Sequence, residues 1–182
     1  MLQPNFTPFP ELTTERLLLR QVVMNDAPGI FFLRSDQTIL QFLGKEPAAS
    51  LKDAEDFIET ITNNIENNDS ILWAICLKGD PSKAIGSICF WNMVKEHYRS
   101  EIGYVLDPAH WRKGIMKEAI LAVLDYGFIK MGLHSVEARL SPANIASVAV
   151  LESTGFIKEA YFKEDFFHKG KFKDTVVYSR LQ

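Results

Sequence analysis

The segment from residue 101 to residue 119, EIGYVLDPAHWRKGIMKEA, predicts a strand, a short turn and a helix without an N-terminal cap. The helix is predicted to begin near Ile115, and the residues before it are Arg112, Lys113 and Gly114. None of them carries the side-chain oxygen with which Ser, Thr, Asp or Asn accepts hydrogen bonds from the first amides of a helix. The segment therefore predicts free backbone amides at the positive end of a helix dipole, which is an arrangement that binds anions.

The residues of this turn favour a phosphate ligand. Gly114 has no Cβ, so a ligand can approach its backbone closely. Arg112, Lys113 and Lys117 add three cationic side chains within six residues, and an arginine forms charge-assisted bonds to phosphate. The glycine spacing matches neither a Walker A loop nor a dinucleotide-binding fingerprint. The pattern is consistent with a diphosphate ligand, and an ordinary solvated turn is the alternative.

The length of the chain, 182 residues, predicts one domain over residues 1–182. Its net charge of −3 argues against general nucleic-acid binding, which needs a clustered basic surface. The chain starts without the basic and apolar regions of a signal peptide, and its longest apolar run is too short to cross a bilayer. We therefore expect a cytoplasmic protein that has neither nucleic acid nor a membrane as its partner.

The cysteines and histidines suggest neither a disulfide nor a metal site. Cys76 and Cys89 fall in adjacent strands of a predicted hairpin that turns near Asp80, and there they are out of register for a bridge. We expect two free, buried thiols. The four histidines have no metal-ligand spacing, so no metal is predicted.

Periodicity and turn signals predict an α+β fold of order β-α-α-β-β-β-α-β-α-β-β, with a mixed, largely antiparallel twisted sheet flanked by helices. The predicted strands are RLLLRQV, SILWAICLKG, KAIGSICFWNM, YRSEIGYVL, SVEARL and a closing hairpin that turns at Lys169-Gly170. The predicted helices are NDAPGIFFLRS, residues 51–68, residues 116–131, and NIASVAVLESTGF with Asn144 as its N-cap.

Three segments in order resemble the GNAT superfamily of acetyl-CoA-dependent N-acetyltransferases: ELTTERLLLRQVVMNDA, EIGYVLDPAHWRKGIMKEA and NIASVAVLESTGFIKEA. The chain looks most like the branch that contains the ribosomal-protein N-terminal (alanine) acetyltransferases, whose final hairpin is similar to HKGKFKDTVVYSRL. The resemblance implies a GNAT-like fold and direct transfer of an acetyl group from acetyl-CoA to a primary amine. A protein N-terminal α-amine or a small-molecule amine is the implied acceptor, and the protein is expected to be a monomer or homodimer.

The resemblance also implies how coenzyme A binds. The glycine turn takes the pyrophosphate, and the pantetheine arm bonds like an added strand to β-strand residues that splay away from SVEARL. Trp111 and Met116 depart from the family pattern, but neither change removes a backbone amide. The implied cofactor-binding residues are Tyr104, Val105, Leu106, Arg112, Lys113, Gly114, Ile115, Met116, Lys117 and Asn144.

Glu101 is the candidate base. An amine must lose its proton to act as a nucleophile, and a positioned carboxylate can accept it directly or through a water. Glu101 lies in an apolar strand, on the face of Gly103 and Val105, where a carboxylate is either paired or functional. The resemblance supports the functional role, since this branch has Glu at the matching position. The alternatives are an ion pair with Arg99 or with a neighbouring strand, and exposure at the strand end.

Ser147 is a second catalytic candidate, one turn beyond Asn144. Many GNAT enzymes carry a Tyr further along this helix that protonates the sulfur of coenzyme A, but here the matching residue is Leu151. The closer branch often has Ser at the position of Ser147, which implies a contact with the sulfur or the pantetheine. A surface hydroxyl and a first-turn backbone contact are the alternatives.

The acceptor side is less defined by the sequence. The helix at 51–68 is the predicted acceptor-side element, since early helices flank this cleft in the family that the chain resembles. Its acidic residues either attract a cationic amine or a basic peptide or form a solvent-facing helix face, and the aromatic residues either line the pocket or belong to the core. These residues are Asp53, Glu55, Asp56, Glu59, Glu66, Trp73, Trp91 and Tyr104. A non-catalytic acetyl-CoA sensor and a structural or partner-binding domain remain rival functions.

Overall fold

A computed structural model, which describes all residues from 1 to 182, contains one eight-stranded sheet of order β1-β2-β3-β4-β5-β6-β8-β7. Every strand pairing is antiparallel except that of β5 with β6, so the predicted α+β class and the largely antiparallel sheet are confirmed. The strands are β1 (Leu12–Thr13), β2 (Leu17–Gln21), β3 (Ile71–Leu77), β4 (Asp80–Val94), β5 (Arg99–Leu106), β6 (Ser135–Leu140), β7 (Ile157–His168) and β8 (Lys171–Leu181).

The helices follow the predicted order, with short additions. They are α1 (Ala27–Ser35), α2 (Gln37–Leu40), α3 (Leu51–Glu66), α4 (Ile115–Asp125), a π-helical segment (Tyr126–Met131) and α5 (Ile145–Ser153). Three 3-10 turns also occur, at Met24–Asp26, Lys95–His97 and Pro108–His110. The two-residue β1 and the four-residue α2 were not predicted because such short elements have no measurable periodicity. No helix has both the length and the apolar composition of a membrane span.

Two apolar layers cover opposite faces of the sheet. Along β3, Ile71, Trp73 and Ile75 belong to the larger core cluster, which also contains the buried face of α4. Leu72, Ala74 and Cys76 alternate with them and belong to a smaller cluster with residues of α1 and α3. This alternation is the two-residue period of a strand that is buried on both faces. The helices α4 and α1/α3 therefore lie on opposite sides of the sheet.

The predicted register of the cysteines is confirmed in substance. Leu72 pairs with Cys89 as expected, while Cys76 pairs with Ala84 because an irregularity shifts the register after Ile75. Both thiols are free, as expected; Cys76 is buried, whereas the residue Cys89 is only half-buried. Burial raises the pKa of each thiol to about 11.

The predicted helix over residues 116–131 changes its geometry after Asp125. Its first part buries Ile120, Val123 and Leu124, as the periodicity predicts. The rest is π-helical, and a Cβ on Gly127 would lie only 2.8 Å from the ring of Phe90. In this wider turn the helix end packs closely against Phe90 of β4. Sequence periodicity does not reveal a π-helical turn.

The sheet opens between β5 and β6. These strands share only three residue pairs, and the last one joins Glu101 to Glu137. Beyond this pair β5 continues beside β4 as far as Leu106, whereas β6 continues beside β8 as far as Leu140. The expected splay of the two strands is therefore confirmed, and it begins at Glu101.

Candidate active site

A cavity of about 410 Å³ lies at the opening between β5 and β6, bordered by residues of α1, α3 and α5. It brings together residues from distant parts of the chain that the sequence analysis selected separately. Those that line it are Glu101, Tyr104, Val105, Asn144 and Ser147. Leu151, at the position where the family resemblance implies a Tyr, lines the same cavity with a buried apolar side chain.

Glu101 is buried, with 6% of its surface exposed, and it is the last residue of β5 that pairs with β6. Burial raises the pKa of its carboxyl group; the nearby Asn92 amide opposes this shift, and the charge of Glu137 adds to it. Arg99 lies 3.8 Å from Glu137, so it is Glu137 that forms the ion pair. The alternatives of an Arg99–Glu101 pair and of an exposed strand end are therefore wrong. A buried carboxyl group with a raised pKa suits a general base.

Asn92 was not predicted as part of the site. It lies in an irregularity of β4 between Trp91 and Val94, opposite β5, and its φ of 49° is left-handed. Asparagine adopts this conformation more readily than most residues, which was the only signal in the sequence. The irregularity places the Asn92 side chain beside Glu101.

Two hydroxyl groups face the cavity from β5 and α5. The side chain of Asn144 caps α5 by accepting a hydrogen bond from the Ser147 amide at 3.2 Å, as predicted. Burial raises the pKa of Tyr104 to about 12, and the neighbouring Ser147 hydroxyl opposes this shift. The Tyr104 phenol is thus protonated at neutral pH, and the Tyr104–Ser147 pair can donate a hydrogen bond into the cavity.

The turn before α4 has the free amides that the sequence predicts. Gly114 caps the helix at a φ of +74°, and no side chain bonds to the first turn. The backbone amides of residues 114–117 have no hydrogen-bond acceptor in the protein. The side chain of Lys113 donates instead to the Ala109 carbonyl at 2.8 Å. These residues do not line the cavity; they follow the end of β5, beyond Leu106.

The tryptophan that departs from the family pattern supports this turn. The indole Nε1 of Trp111 donates to the carbonyl oxygen of Leu106 at 2.8 Å. This bond fixes the turn against the end of β5, while the side chain remains partly exposed. The departure therefore leaves the backbone amides of the turn available.

Arg16 braces the turn from the first strands and was not predicted. Its Nη1 donates to the Lys113 carbonyl at 2.9 Å, and its Nε donates to Glu118 at 2.7 Å. Glu118 also accepts from the Thr14 hydroxyl at 2.5 Å. Although burial acts in the opposite direction, the Thr14 and Arg16 donors keep the pKa of Glu118 below its usual value. Sequence reasoning could not find this brace because its partners are 102 residues apart.

The helix α3 borders the cavity, as expected for the acceptor side, but none of its acidic residues lines it. Asp53 belongs to a capping box with Ser50, whose amide donates to it at 3.1 Å, and Asp56 pairs with Lys52. The helix presents other residues to the cavity: Phe57, Thr60, Ile61 and Asn64. The apolar stripe of α3 packs on the sheet, so the acidic positions turn towards solvent and away from the cavity.

Of the three aromatic residues, Trp91 and Tyr104 line the cavity, whereas Trp73 has the core position that was the other interpretation. Trp73 is completely buried in the core, and its indole donates to the Pro10 carbonyl at 2.8 Å. Its alternation with Leu72 places it on the face of the sheet that α4 covers.

Comparison with known proteins identifies related chains over most of the length. Residues 16–157 match the family described as Acetyltransferase (GNAT) domain. An uncharacterised N-acetyltransferase of Bacillus subtilis (strain 168), YoaA, is 36% identical over 171 residues, which cover 94% of this chain and 96% of that protein. The [ribosomal protein uS5]-alanine N-acetyltransferase of Escherichia coli (strain K12) is 26% identical over 174 residues, 91% of this chain and 88% of the relative.

A solved structure shares the architecture. The spermidine N-acetyltransferase of Vibrio cholerae, in complex with CoA and spermine, superimposes with a TM-score of 0.79 at 25% identity. The likeness covers 93% of this chain and 97% of the other.

Proposed function

Because the chain belongs to the GNAT family of acetyltransferases, we propose that it transfers an acetyl group from acetyl-CoA directly to a primary amine, on a protein N-terminus or on a small molecule. The acyltransferase class follows from membership of this family. The resemblance to the ribosomal-protein branch is confirmed by the uS5-alanine N-acetyltransferase among its relatives. With this function we propose a single acetyltransferase domain over residues 1–182, a cytoplasmic location and no metal requirement.

The opening of the sheet carries this proposal. It starts at Glu101 and runs along Tyr104 and Val105. The next residue of β5, Leu106, accepts the hydrogen bond of Trp111, and the free amides of residues 114–117 follow in the same turn. One extended ligand can therefore reach both the anion-binding turn and the buried carboxylate. A CoA-bound relative with the same architecture supports this choice of ligand.

In this proposal each element of the opening holds one part of acetyl-CoA. The amides and cations from Arg112 through Lys117 bind the diphosphate. The edge of β5 at Tyr104, Val105 and Leu106 bonds to the pantetheine arm, and Asn144 contacts it from α5. The cosubstrate supplies an activated acetyl thioester, which this binding mode directs towards Glu101.

Glu101 is proposed to remove a proton from the acceptor ammonium, directly or through a water. The neutral amine then forms the new C–N bond as the thioester C–S bond breaks, and the departing thiolate takes up a proton. Ser147, adjacent to Tyr104, is proposed to stabilise or protonate that sulfur, since Leu151 has no acidic hydrogen to give. The raised pKa of Glu101 improves its ability to accept the proton near neutral pH.

The proposal is tested by following thiol release from acetyl-CoA with a panel of primary amines. Glu101→Gln should lower kcat by about 10²- to 10⁴-fold, the usual contribution of a general base. Coenzyme A should still stabilise the variant against heating, since its proposed contacts are untouched. Equal turnover by the variant and the wild type would reject Glu101 as the base. Thermal stabilisation without thiol release from any amine would instead indicate a sensor.

Ser147→Ala provides a separate test of the thiolate contact. Its turnover should fall with every amine that the wild type accepts, while the α5 cap from Asn144 to the residue 147 amide is preserved. Unchanged turnover with all of these amines would remove Ser147 from the mechanism.

A further inference from the structure

Arg34 is a partly buried cation without a partner. It lies in the last turn of α1, and its side chain makes no hydrogen bond or ion pair; its Nε atom is buried and unsatisfied. The guanidinium carbon lies 3.9 Å from the centre of the Phe57 ring. Burial lowers the pKa of Arg34, and only the more distant charge of Asp53 opposes this. Such a group costs folding free energy unless something else satisfies it.

The other arginines show how unusual this is. Five of them form a hydrogen bond or an ion pair: Arg16, Arg20, Arg99, Arg139 and Arg180. The remaining one, Arg112, is exposed at the turn where the diphosphate is proposed to bind. Arg34 is therefore the only arginine that is both partly buried and unpaired.

The position of Arg34 connects it to the acceptor. Arg34 and Phe57 line the same cavity as Glu101, on the α1 and α3 side of the opening. Most of the residues around this cavity are hydrophobic. Lys45, which also lines it, lowers the pKa of Glu101 by its charge and forms no ion pair. Glu46 is next to Lys45 in the chain and also lines the cavity. This side of the cavity thus combines apolar surface with two cations that form no ion pair, Arg34 and Lys45, and one carboxylate.

We propose that Arg34 binds a carboxylate of the acceptor, so that the preferred substrates are primary amines with an apolar body and a free carboxylate. The inference rests on the proposed acetyl transfer and specifies its substrate class. A guanidinium matches a carboxylate with two parallel hydrogen bonds, and stacking on Phe57 holds its plane in place. A polyamine such as spermine, bound in the Vibrio cholerae structure, would bring further positive charge next to Arg34.

Matched acceptors test this assignment. The panel consists of leucine, Leu-Gly and Leu-Gly-Gly, each with its C-terminal amide, together with spermine. The three pairs place the carboxylate at increasing distances from the amine while the apolar head stays the same. Because amidation lowers the pKa of a nearby amine, it supplies more of the reactive neutral form. A preference for the acid therefore runs against intrinsic reactivity.

The wild type is expected to prefer the acid in at least one pair by about 10- to 100-fold in kcat/KM, the usual effect of a hydrogen bond to a charged group. Arg34→Gln should abolish this preference, whereas Arg34→Lys should keep part of it. Lys83→Gln removes an exposed positive charge outside the cavity and should leave the preference unchanged. The thermal shift with coenzyme A should be the same in all variants, which shows that each is folded.

Equal kcat/KM within every pair for the wild type would overturn the inference, and so would a preference that survives in Arg34→Gln. Turnover of other amines without any turnover of the acids would overturn it as well. These outcomes leave the proposed acetyl transfer intact. If no amine of any kind releases thiol, the proposed function fails and the inference fails with it.

Discussion

The burial of Glu101 has opposite consequences for reactivity and for stability. Its pKa is raised in the folded protein by desolvation, so the folded state binds this proton more tightly than the unfolded chain does. The contribution of this bound proton to the free energy of unfolding is fully present below the ordinary carboxyl pKa. It is lost as the pH rises through the raised pKa of the folded state. At neutral pH the carboxylate therefore destabilises the fold, while it is the form that accepts a proton.

Glu101→Gln should for this reason raise the Tm at about pH 7, and the gain should shrink towards about pH 4, where the wild-type carboxyl group is also uncharged. Scanning calorimetry of both proteins across this range measures the difference. Glu96→Gln, at an exposed position, is the matched control and should change the Tm little at either pH. A lower Tm for Glu101→Gln at neutral pH would show that the carboxylate stabilises the protein.

Both cysteines should be unreactive in the native protein. Burial raises the pKa of Cys76 and Cys89 to about 11, so very little thiolate is present at about pH 8. Titration with a thiol-specific disulfide reagent should detect no rapid reaction before denaturation and two thiols afterwards. Fast native labelling that disappears in Cys89→Ala would show that the cavity exposes this thiol.

At the residue scale, the sequence identified residues of the candidate site where a polar side chain stands among apolar neighbours. Glu101 in an apolar strand and Asn144 before an apolar helix are local signals, and both lie in the cavity. Arg34 carries no local signal, and Asn92 carries only the readiness of asparagine to adopt a left-handed backbone. Their importance depends on Phe57 and Glu101, which come close only in the folded chain.

At the scale of the element, the contribution of the turn before α4 to ligand binding can be separated from the cost of backbone strain to stability. Gly114 and Gly132 have nearly equal φ values, +74° and +77°, and a Cβ would find no closer contact than 3.4 Å at either position. Alanine at each should cost about 1 kcal/mol through the left-handed backbone alone, which lowers the Tm by roughly 2 to 4 °C.

Only Gly114→Ala should weaken the binding of coenzyme A, because only this change disturbs the amides proposed to bind the diphosphate. Isothermal titration of both variants with coenzyme A provides the comparison, with Gly132→Ala as the control for strain. Equal affinities for the two variants would contradict a role of the turn in binding.

Periodicity predicted that α3 and α4 exist, but not everything about their placement. The apolar face of α4 was correct because one helix face packs on one sheet face. The acidic residues of α3 were left between the acceptor side and solvent, because periodicity separates polar from apolar positions without showing which neighbours each side meets. The π-helical segment places Gly127 against Phe90, and these residues are far apart in the chain.

At the scale of the whole molecule, binding of coenzyme A should be visible as stability. Ligand at ~100 times Kd adds about 2.7 kcal/mol to the free energy of unfolding. For a chain of this size the Tm should then rise by roughly 5 to 10 °C, as measured by calorimetry or dye fluorescence. Adenosine without the diphosphate and pantetheine is a suitable control and should give a smaller shift. The absence of any rise at saturating coenzyme A would contradict the proposed cofactor.

The order of elements and the fold class were predictable because they follow from local patterns read in sequence. The opening between β5 and β6 was expected only from the family resemblance. Its position depends on a pairing between segments more than thirty residues apart that stops after three pairs. No composition or spacing within either strand specifies where such a pairing ends.

This short pairing divides the sheet into two parts, β1 to β5 and β6 to β8, which are joined by three residue pairs that end at Glu101. Two parts of a sheet that are joined by so few residue pairs can move relative to each other, and this motion changes the distance between Glu101 and α5. A cosubstrate bound between the two parts restricts this motion. Amide hydrogen exchange should consequently slow along β6 and β8 as well as β5, even at residues that no ligand atom touches.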